Sequence, residues 1–379
     1  MENEHIISGH HQRDAVVTGK RFIIAGGGTG GHIFPAIAIA NALKRIDPTA
    51  EILFVGAKGK MEMEKVPQAG FEIKGLDIAG YNRSSLIKNI FLPLKVIKSF
   101  YQVSVIVKNF RPDAVIGVGG YSSFPVMRYA QLKNIPTFLH ESNSFAGKTN
   151  ILLGRKATKI FTATDEMEKF FPPSKIIVTG NPVRKSIVDG HVSQDEALNF
   201  FGLRLGSKVV LSIGGSLGAQ TINEAVAGNL QVFKENDLQL IWQTGKPFLE
   251  TAIRKAAGQS GIYVCDFITQ MEYAYAAADI VISRSGAMAI AELSIVEKPV
   301  LFVPYPYAAE DHQSANAKSL VNKKAALMID NNIALLELVP AVVALSKDPE
   351  RQQTYKRNIS KLAVSNADER IATEIFKNI

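Results

Sequence analysis

The run Gly26-Gly-Gly-Thr-Gly-Gly-His32 combines a backbone able to turn tightly with a titratable side chain. Glycines there let the chain approach a phosphate, and a helix starting just after offers free N–H groups and a positive dipole end. The spacing Gly26-x-Gly28-x-x-Gly31 also fits a dinucleotide fingerprint, but such a site asks for an acid at the end of the second strand. Here that end reads Gly56-Ala-Lys-Gly, and no Walker lysine follows the loop, so hydride transfer on a nicotinamide is disfavoured. His32 falls at the loop–helix junction, and its ordinary pKa suits a general base near neutral pH. A histidine that only orders the loop fits as well, and the residues alone leave both readings open.

Further loops repeat the plan. Gly117-Val-Gly-Gly-Tyr-Ser-Ser-Phe-Pro125 follows an apolar strand, and its Gly119, Gly120 and Tyr121 are, with Gly28, candidate donors to a diphosphate. His140-Glu-Ser-Asn143 closes another apolar run. Ser212-Ile-Gly-Gly-Ser-Leu-Gly-Ala219 reads as strand, glycine turn and a helix opened by Ser216, and Ser283-Arg-Ser-Gly-Ala-Met288 leads towards Glu292. Polar groups gather again in Pro304-Tyr-Pro-Tyr-Ala-Ala-Glu-Asp-His-Gln313. Any one could be an ordinary α/β turn, but two glycine loops in each half point to a ligand cleft between two lobes.

Short apolar runs alternating with helical stretches position these loops, the pattern of parallel α/β units. Strands are predicted at Arg21–Ala25, Glu51–Val55, Ala114–Val118, Pro136–His140, Lys159–Ala163 and Lys175–Gly180. A second series runs from Lys208 through Leu238, Ile262 and Asp279 to Pro299–Val303. The chain of 379 residues suits two domains, and 46% apolar with 21% charged is an ordinary globular balance. The 43 basic residues outnumber the 35 acidic ones, which favours phosphate-bearing or anionic partners, while no RNA-binding or zinc-finger signature points to nucleic acid. The single cysteine, Cys265, forms no intrachain disulfide and reads as a buried strand residue. No run approaches the ~20 apolar residues of a spanning helix, and residues 1–20 read as a loose lead-in without a signal-peptide core.

Taken together, Gly27–His32, His140–Asn143, Gly214-Gly-Ser-Leu-Gly-Ala219, Arg284-Ser-Gly-Ala…Glu292 and Asp311-His-Gln313 resemble the signatures of the MurG family, which makes lipid II from lipid I in peptidoglycan synthesis. The resemblance runs over about 20–375, with the motifs in order. It implies an α/β chain of GT-B glycosyltransferase fold: two Rossmann-like parallel-sheet lobes with an interlobe cleft. It implies an acceptor and membrane-associated lobe at 21–183, a UDP-sugar lobe at 184–358, and a segment 359–379 whose helix packs back on the first lobe.

By position, Thr29, Gly30 and Gly31 match cleft-lining residues, and Asn143 a donor-contacting asparagine. Arg184 and Ser216 match residues near the nucleotide and its phosphates, and Ile268 a backbone contact to uracil. Ala287 and Met288 belong to the same donor site, Glu292 matches a carboxylate on the ribose hydroxyls, and Gln313 an amide reading the sugar. The implied reaction is an inverting displacement by the acceptor's 4-hydroxyl at C1 of UDP-N-acetylglucosamine, with His32 as candidate base. His312 departs from the glutamine of some relatives. No Asp-x-Asp pair is present, so neither a metal nor another cofactor is called for.

The implied location is the cytoplasmic face of the cell membrane, with other cell-wall synthesis proteins as conceivable partners. Residues 84–110 read as helical segments interrupted at Pro93, with Lys88, Lys95 and Lys98 interleaved among apolar positions. Either the apolar face packs on the first sheet, or Ile87, Phe91 and their neighbours form an anionic-membrane patch with those lysines. Rival functions are another GT-B lipid glycosyltransferase, of diacylglycerol galactosyltransferase type, and a non-catalytic lipid-carrier scaffold.

Overall fold

The computed structural model describes residues 19–80, 92–215, 217–308 and 311–379. Most of the N-terminal lead-in, together with Ile87, Lys88, Phe91 and Ser216, therefore lies outside the described residues.

The strands form two sheets in which every pairing is parallel. The first contains β1 (Arg21–Ala25), β2 (Glu51–Ala57), β3 (Glu72–Leu76), β4 (Ala114–Gly117), β5 (Thr137–Glu141), β6 (Lys159–Thr162) and β7 (Ile176–Val178). Its order is β3-β2-β1-β4-β5-β6-β7. The second contains β8 (Lys208–Ile213), β9 (Leu238–Gln243), β10 (Ile262–Cys265), β11 (Ile280–Ser283), β12 (Val300–Phe302) and β13 (Leu327–Met328), ordered β10-β9-β8-β11-β12-β13. Both are doubly wound, and strand order reverses between β1 and β4 and again between β8 and β11.

Helices on both faces explain the continuous apolar strands, since successive side chains enter opposite cores. Phe22 and Ile24 pack on one side of β1 while Ile23 and Ala25 pack on the other. Val209 and Leu211 likewise separate from Val210 on β8. β3 and β13 were not anticipated: the β3 run alternates charged and part-buried residues, and β13 is two residues long.

Local differences have physical causes. The first helix begins at Gly30, a turn before the Pro35 signal, so His32 lies in its first turn. Pro35 lacks an N–H for the carbonyl one turn back, but the helix continues through it to Ile46. The helix after β8 begins at Gln220, not at Ser216. The described helix Leu92–Phe110 has Pro93 in its first turn, where an amide hydrogen has no intrahelical partner to lose.

At the C-terminus, Pro349–Ser360 stays with the second sheet, burying Tyr355 and Ile359. Only Ala367–Phe376 reaches the first lobe, where Ile371, Ala372 and Ile375 join its core and Arg45 pairs with Asp368. Gly180 (φ +82°) leaves no room for a side chain beneath Val364, so the outward and returning crossovers touch.

Candidate active site

The four glycine loops follow β1, β4, β8 and β11, so each pair flanks a point where strand order reverses. Such a point is where open α/β sheets place their ligands. In the first lobe the two loops interlock: a Cβ on Gly120 would stand 2.5 Å from the Gly27 carbonyl oxygen. A Cβ on Gly119 would stand 2.9 Å from Cδ2 and Nε2 of His32, so the imidazole lies over backbone that only glycine provides.

His32 Nδ1 is 3.1 Å from the Gly27 carbonyl oxygen, with the Thr29 hydroxyl at 3.5 Å. A carbonyl can only accept, which assigns the proton to Nδ1 and leaves the Nε2 lone pair for chemistry. Burial holds the His32 pKa below its usual value, opposed by Glu141, the Gly27 carbonyl and Glu62. A neutral imidazole near pH 7 meets the protonation requirement of a base. Thr29 caps the helix, with Gly30 and Gly31 as its first residues.

The Gly28 amide donates to Glu62 Oε2 at 2.9 Å, so it is not free for a phosphate. The neighbouring loop supplies Gly119 and Gly120, both at positive φ, and Tyr121, whose ring covers Gly80. Burial, with Glu62 nearby, raises the Tyr121 hydroxyl pKa.

Glu141, given no separate role from sequence, organises the loop after β5. Its Oε1 accepts from the Asn143 backbone (3.1 Å) and side chain (3.3 Å), and its Oε2 from the Gly147 backbone (3.1 Å) and Asn150 (2.8 Å). His140 is fully buried, and burial pushes its pKa down to about 4.

The second lobe supplies a complementary set. Glu292 accepts from Tyr275 Oη at 2.8 Å and from Arg184 Nη2 at 3.1 Å. Burial and the adjacent carboxylate raise the Tyr275 pKa well above its usual value. Arg184 also stacks over Phe34 of the first lobe at 4.5 Å, so one guanidinium touches both sides. Other ties between lobes run from Asn181 to the Ala287 carbonyl (3.5 Å) and from Ser144 to Asn316 (3.3 Å).

Ala287 and Met288 open a helix capped by Gly286 without a side-chain cap bond, leaving its first amides for an anion. Ile268 buries its side chain in the core, so only its backbone is offered to a ligand. Gln313 Oε1 accepts from the Tyr305 amide at 3.0 Å, which leaves Nε2 as its outward donor.

Arg284 binds the carbonyls of Val303 and Pro304 at 2.9 Å and Asn331 at 2.8 Å, tying the loops after β11 and β12 together. Asn223 accepts from Trp242 Nε1 (2.9 Å) and donates to the Thr244 carbonyl (2.8 Å), a network that sequence spacing did not reveal. Among the described residues, no group of three His, Cys, Asp or Glu is placed to hold a metal ion.

On the first lobe's flank, the helix Leu92–Phe110 packs Val103 and Val107 inward. Leu94, Ile97 and Tyr101 are 64%, 67% and 72% exposed, so that stripe does not pack on the sheet. Lys95 is exposed, while Lys98 shares Asp77 with Lys58 at 2.8 and 2.9 Å. Lys98 is therefore partly neutralised rather than a free member of a basic ring.

Residues 22–162 match the Glycosyltransferase family 28 N-terminal domain, and residues 209–371 match its C-terminal domain. The chain belongs to glycosyltransferase family 28. This family 28 chain is 50% identical over 361 residues to a Phocaeicola vulgatus protein named UDP-N-acetylglucosamine–N-acetylmuramyl-(pentapeptide) pyrophosphoryl-undecaprenol N-acetylglucosamine transferase, covering 94% of this chain and 96% of the relative. A Porphyromonas gingivalis protein of the same name is 51% identical over 360 residues, with coverages of 94% and 95%.

Among solved structures, Acinetobacter baumannii MurG superposes with a TM-score of 0.71 at 27% identity, covering 94% of this chain and 99% of that one. A Neisseria meningitidis UDP-GlcNAc 2-epimerase shares the fold at TM-score 0.70 and 16% identity, with coverages of 94% and 100%. The architecture is GT-B.

Proposed function

We propose that this family 28 glycosyltransferase transfers N-acetylglucosamine from UDP-N-acetylglucosamine to the 4-hydroxyl of the N-acetylmuramyl unit of lipid I, releasing UDP and forming lipid II. The observation that carries the reading is the pairing of two half-sites across one cleft. A neutral His32 presents Nε2 over Gly119, and Glu292, Gln313 and the helix start at Ala287 converge from the other lobe. The substrate class is supported by the names of relatives aligned over nearly the whole chain.

In this mechanism Glu292 accepts hydrogen bonds from the ribose hydroxyls, using lone pairs beyond those engaged by Tyr275 and Arg184. Amides at Ala287 and Met288 face the diphosphate, Gln313 donates to a sugar hydroxyl, and Ile268 offers its backbone to uracil. Asn143 approaches the donor from the first lobe. His32 Nε2 takes the acceptor's hydroxyl proton as the oxygen attacks C1 and the C1–phosphate oxygen bond breaks, inverting the anomeric centre.

Residues 21–183 carry the acceptor side and 184–358 the donor side, while the helix Ala367–Phe376 packs back on the first lobe. The exposed Leu94–Ile97–Tyr101 stripe, with Lys95 beside it, suits docking at an anionic membrane surface that holds the lipid-linked acceptor. On this reading the enzyme works at the cytoplasmic face of the membrane.

The test follows labelled N-acetylglucosamine from the UDP donor to a lipid I analogue. Stoichiometric lipid II and UDP are expected from the wild type. His32→Ala should keep donor affinity and lose about 10²–10⁴-fold in turnover, the usual share of general-base catalysis. Turnover within a few-fold of wild type would return His32 to a loop-ordering role.

A further inference from the structure

The glycine loop rests on a buried acid that the proposed mechanism leaves without a task. Glu62 follows β2 and is only 1% exposed. Its Oε2 accepts the Gly28 amide at 2.9 Å and its Oε1 the Ala57 amide at 3.0 Å, bridging the β1 loop to the end of β2. No Lys or Arg forms an ion pair with it among the described residues.

Room for this side chain is made by two glycines. A Cβ on Gly27 would lie 2.4 Å from Glu62 Cδ, and one on Gly56 would lie 2.5 Å from its Cγ. Gly56 lies within β2 and has no positive φ, so its backbone asks for no glycine; the space is needed by Glu62.

We propose that Glu62 is the positioning residue of the catalytic loop: its carboxylate shapes Gly26–His32 through the Gly28 amide and supplies negative charge behind the His32 imidazole. The proposal rests on the base reading of His32 and adds to it. A glutamine at 62 would offer one oxygen and one NH2 to two amide donors, so a neutral isostere cannot keep both bonds. The titratable and charged groups around this pocket are Glu62 after β2, His140 and Glu141 on β5, Tyr121 after β4, and Arg184 over Phe34.

Of these, Glu141 and Glu62 act to raise the His32 pKa against its burial. Removing Glu62's charge favours neutral imidazole, so the His32 pKa falls. The acid limb of activity, set by base protonation, then moves to lower pH while the weaker, misplaced base lowers the plateau.

The experiment compares full-length wild type, Glu62→Gln, Gly56→Ala and the exposed-acid control Glu64→Gln. His32 is titrated by NMR, its signal identified by its loss in His32→Ala, and kcat is followed against pH. Calorimetry with UDP-N-acetylglucosamine reports the integrity of the second lobe. Glu62→Gln and Gly56→Ala should both bind donor within about twofold of wild type, lose roughly tenfold to a hundredfold in kcat, and titrate His32 at lower pH. Glu64→Gln should match wild type.

If Glu62→Gln does not fold, Gly56→Ala, which evicts the carboxylate without removing it, decides the matter. A His32 titration unmoved in the donor-binding variants overturns the proposal. If His32→Ala turns over normally, the base reading fails, and the NMR titration still judges Glu62 separately.

Discussion

Replacing Glu292 by glutamine tests the donor half of the site through one bond. The carboxylate is nearly buried, with the Tyr275 hydroxyl on one oxygen at 2.8 Å and Arg184 on the other at 3.1 Å. A ribose diol adds two donors to this charged acceptor, and hydrogen bonds to charged groups contribute about 1.5–3 kcal/mol against ~1 for neutral ones. An amide at 292 keeps one acceptor oxygen but presents NH2 to the second hydroxyl. Donor affinity should therefore weaken by about 1.5–3 kcal/mol, roughly 10- to 150-fold in Kd.

The same change leaves the part-buried Arg184 without its counter-charge. Complete loss of a partner in a buried pair costs about 3–5 kcal/mol, but Arg184 keeps its stacking on Phe34 and borders a cleft water can enter. A stability loss nearer ~2 kcal/mol is expected, and the double variant Arg184→Met/Glu292→Gln should lose less than the sum of the singles. The assays are calorimetric titration with UDP-N-acetylglucosamine and thermal unfolding of all four proteins. Ribose-deoxy donors provide the chemical counterpart: their loss of affinity for wild type should shrink in Glu292→Gln. Unchanged donor affinity in a folded Glu292→Gln protein would refute the ribose assignment.

Other predictions address the first lobe. Gly119→Ala brings a methyl group against Cδ2 and Nε2 of His32, so kcat should fall at least tenfold while calorimetric donor affinity holds. His140, held down to about 4 by burial, sits below the ~6.5 of an unfolded histidine, so the unfolded chain takes up the extra proton between those values. Stability from this group is present above pH ~6.5 and declines as pH falls towards about 4, by about 3 kcal/mol over the window. In thermal melts, His140→Gln should flatten that decline; an unchanged acid slope would show that other groups set it. Leu94→Ser/Ile97→Ser and Lys95→Glu should reduce co-sedimentation with anionic vesicles, the lysine effect fading at high salt. Equal sedimentation of all proteins would sink membrane docking by this helix and leave the transferase chemistry standing.

The sequence determined the layer plan and the loops that border the cleft. Apolar runs that became strands of three to seven residues between helical stretches read directly as parallel strands, because both faces of such strands meet helices. Glycine loops at strand ends pointed to a phosphate-handling cleft because their backbone freedom is a local property. It was less legible where pairing with distant chain replaced local pattern: β3 and β13 gain their status from a neighbouring strand.

Tertiary structure alone decided which groups remain available. Gly28 fits a phosphate loop in one dimension, yet a carboxylate 34 positions later takes its amide. Lys98 reads as a membrane cation until Asp77 lies beside it, and the choice between a packed and an exposed apolar face is decided only when the helix turns Leu94 outward. Glu62 and Glu141 carry no motif-level signal of their loop-holding roles, since a buried acid is defined by the amides folding brings to it. The physical reason is common to all of these: residue type and spacing set what a group can do, while burial and long-range partners set what it has left to do it with.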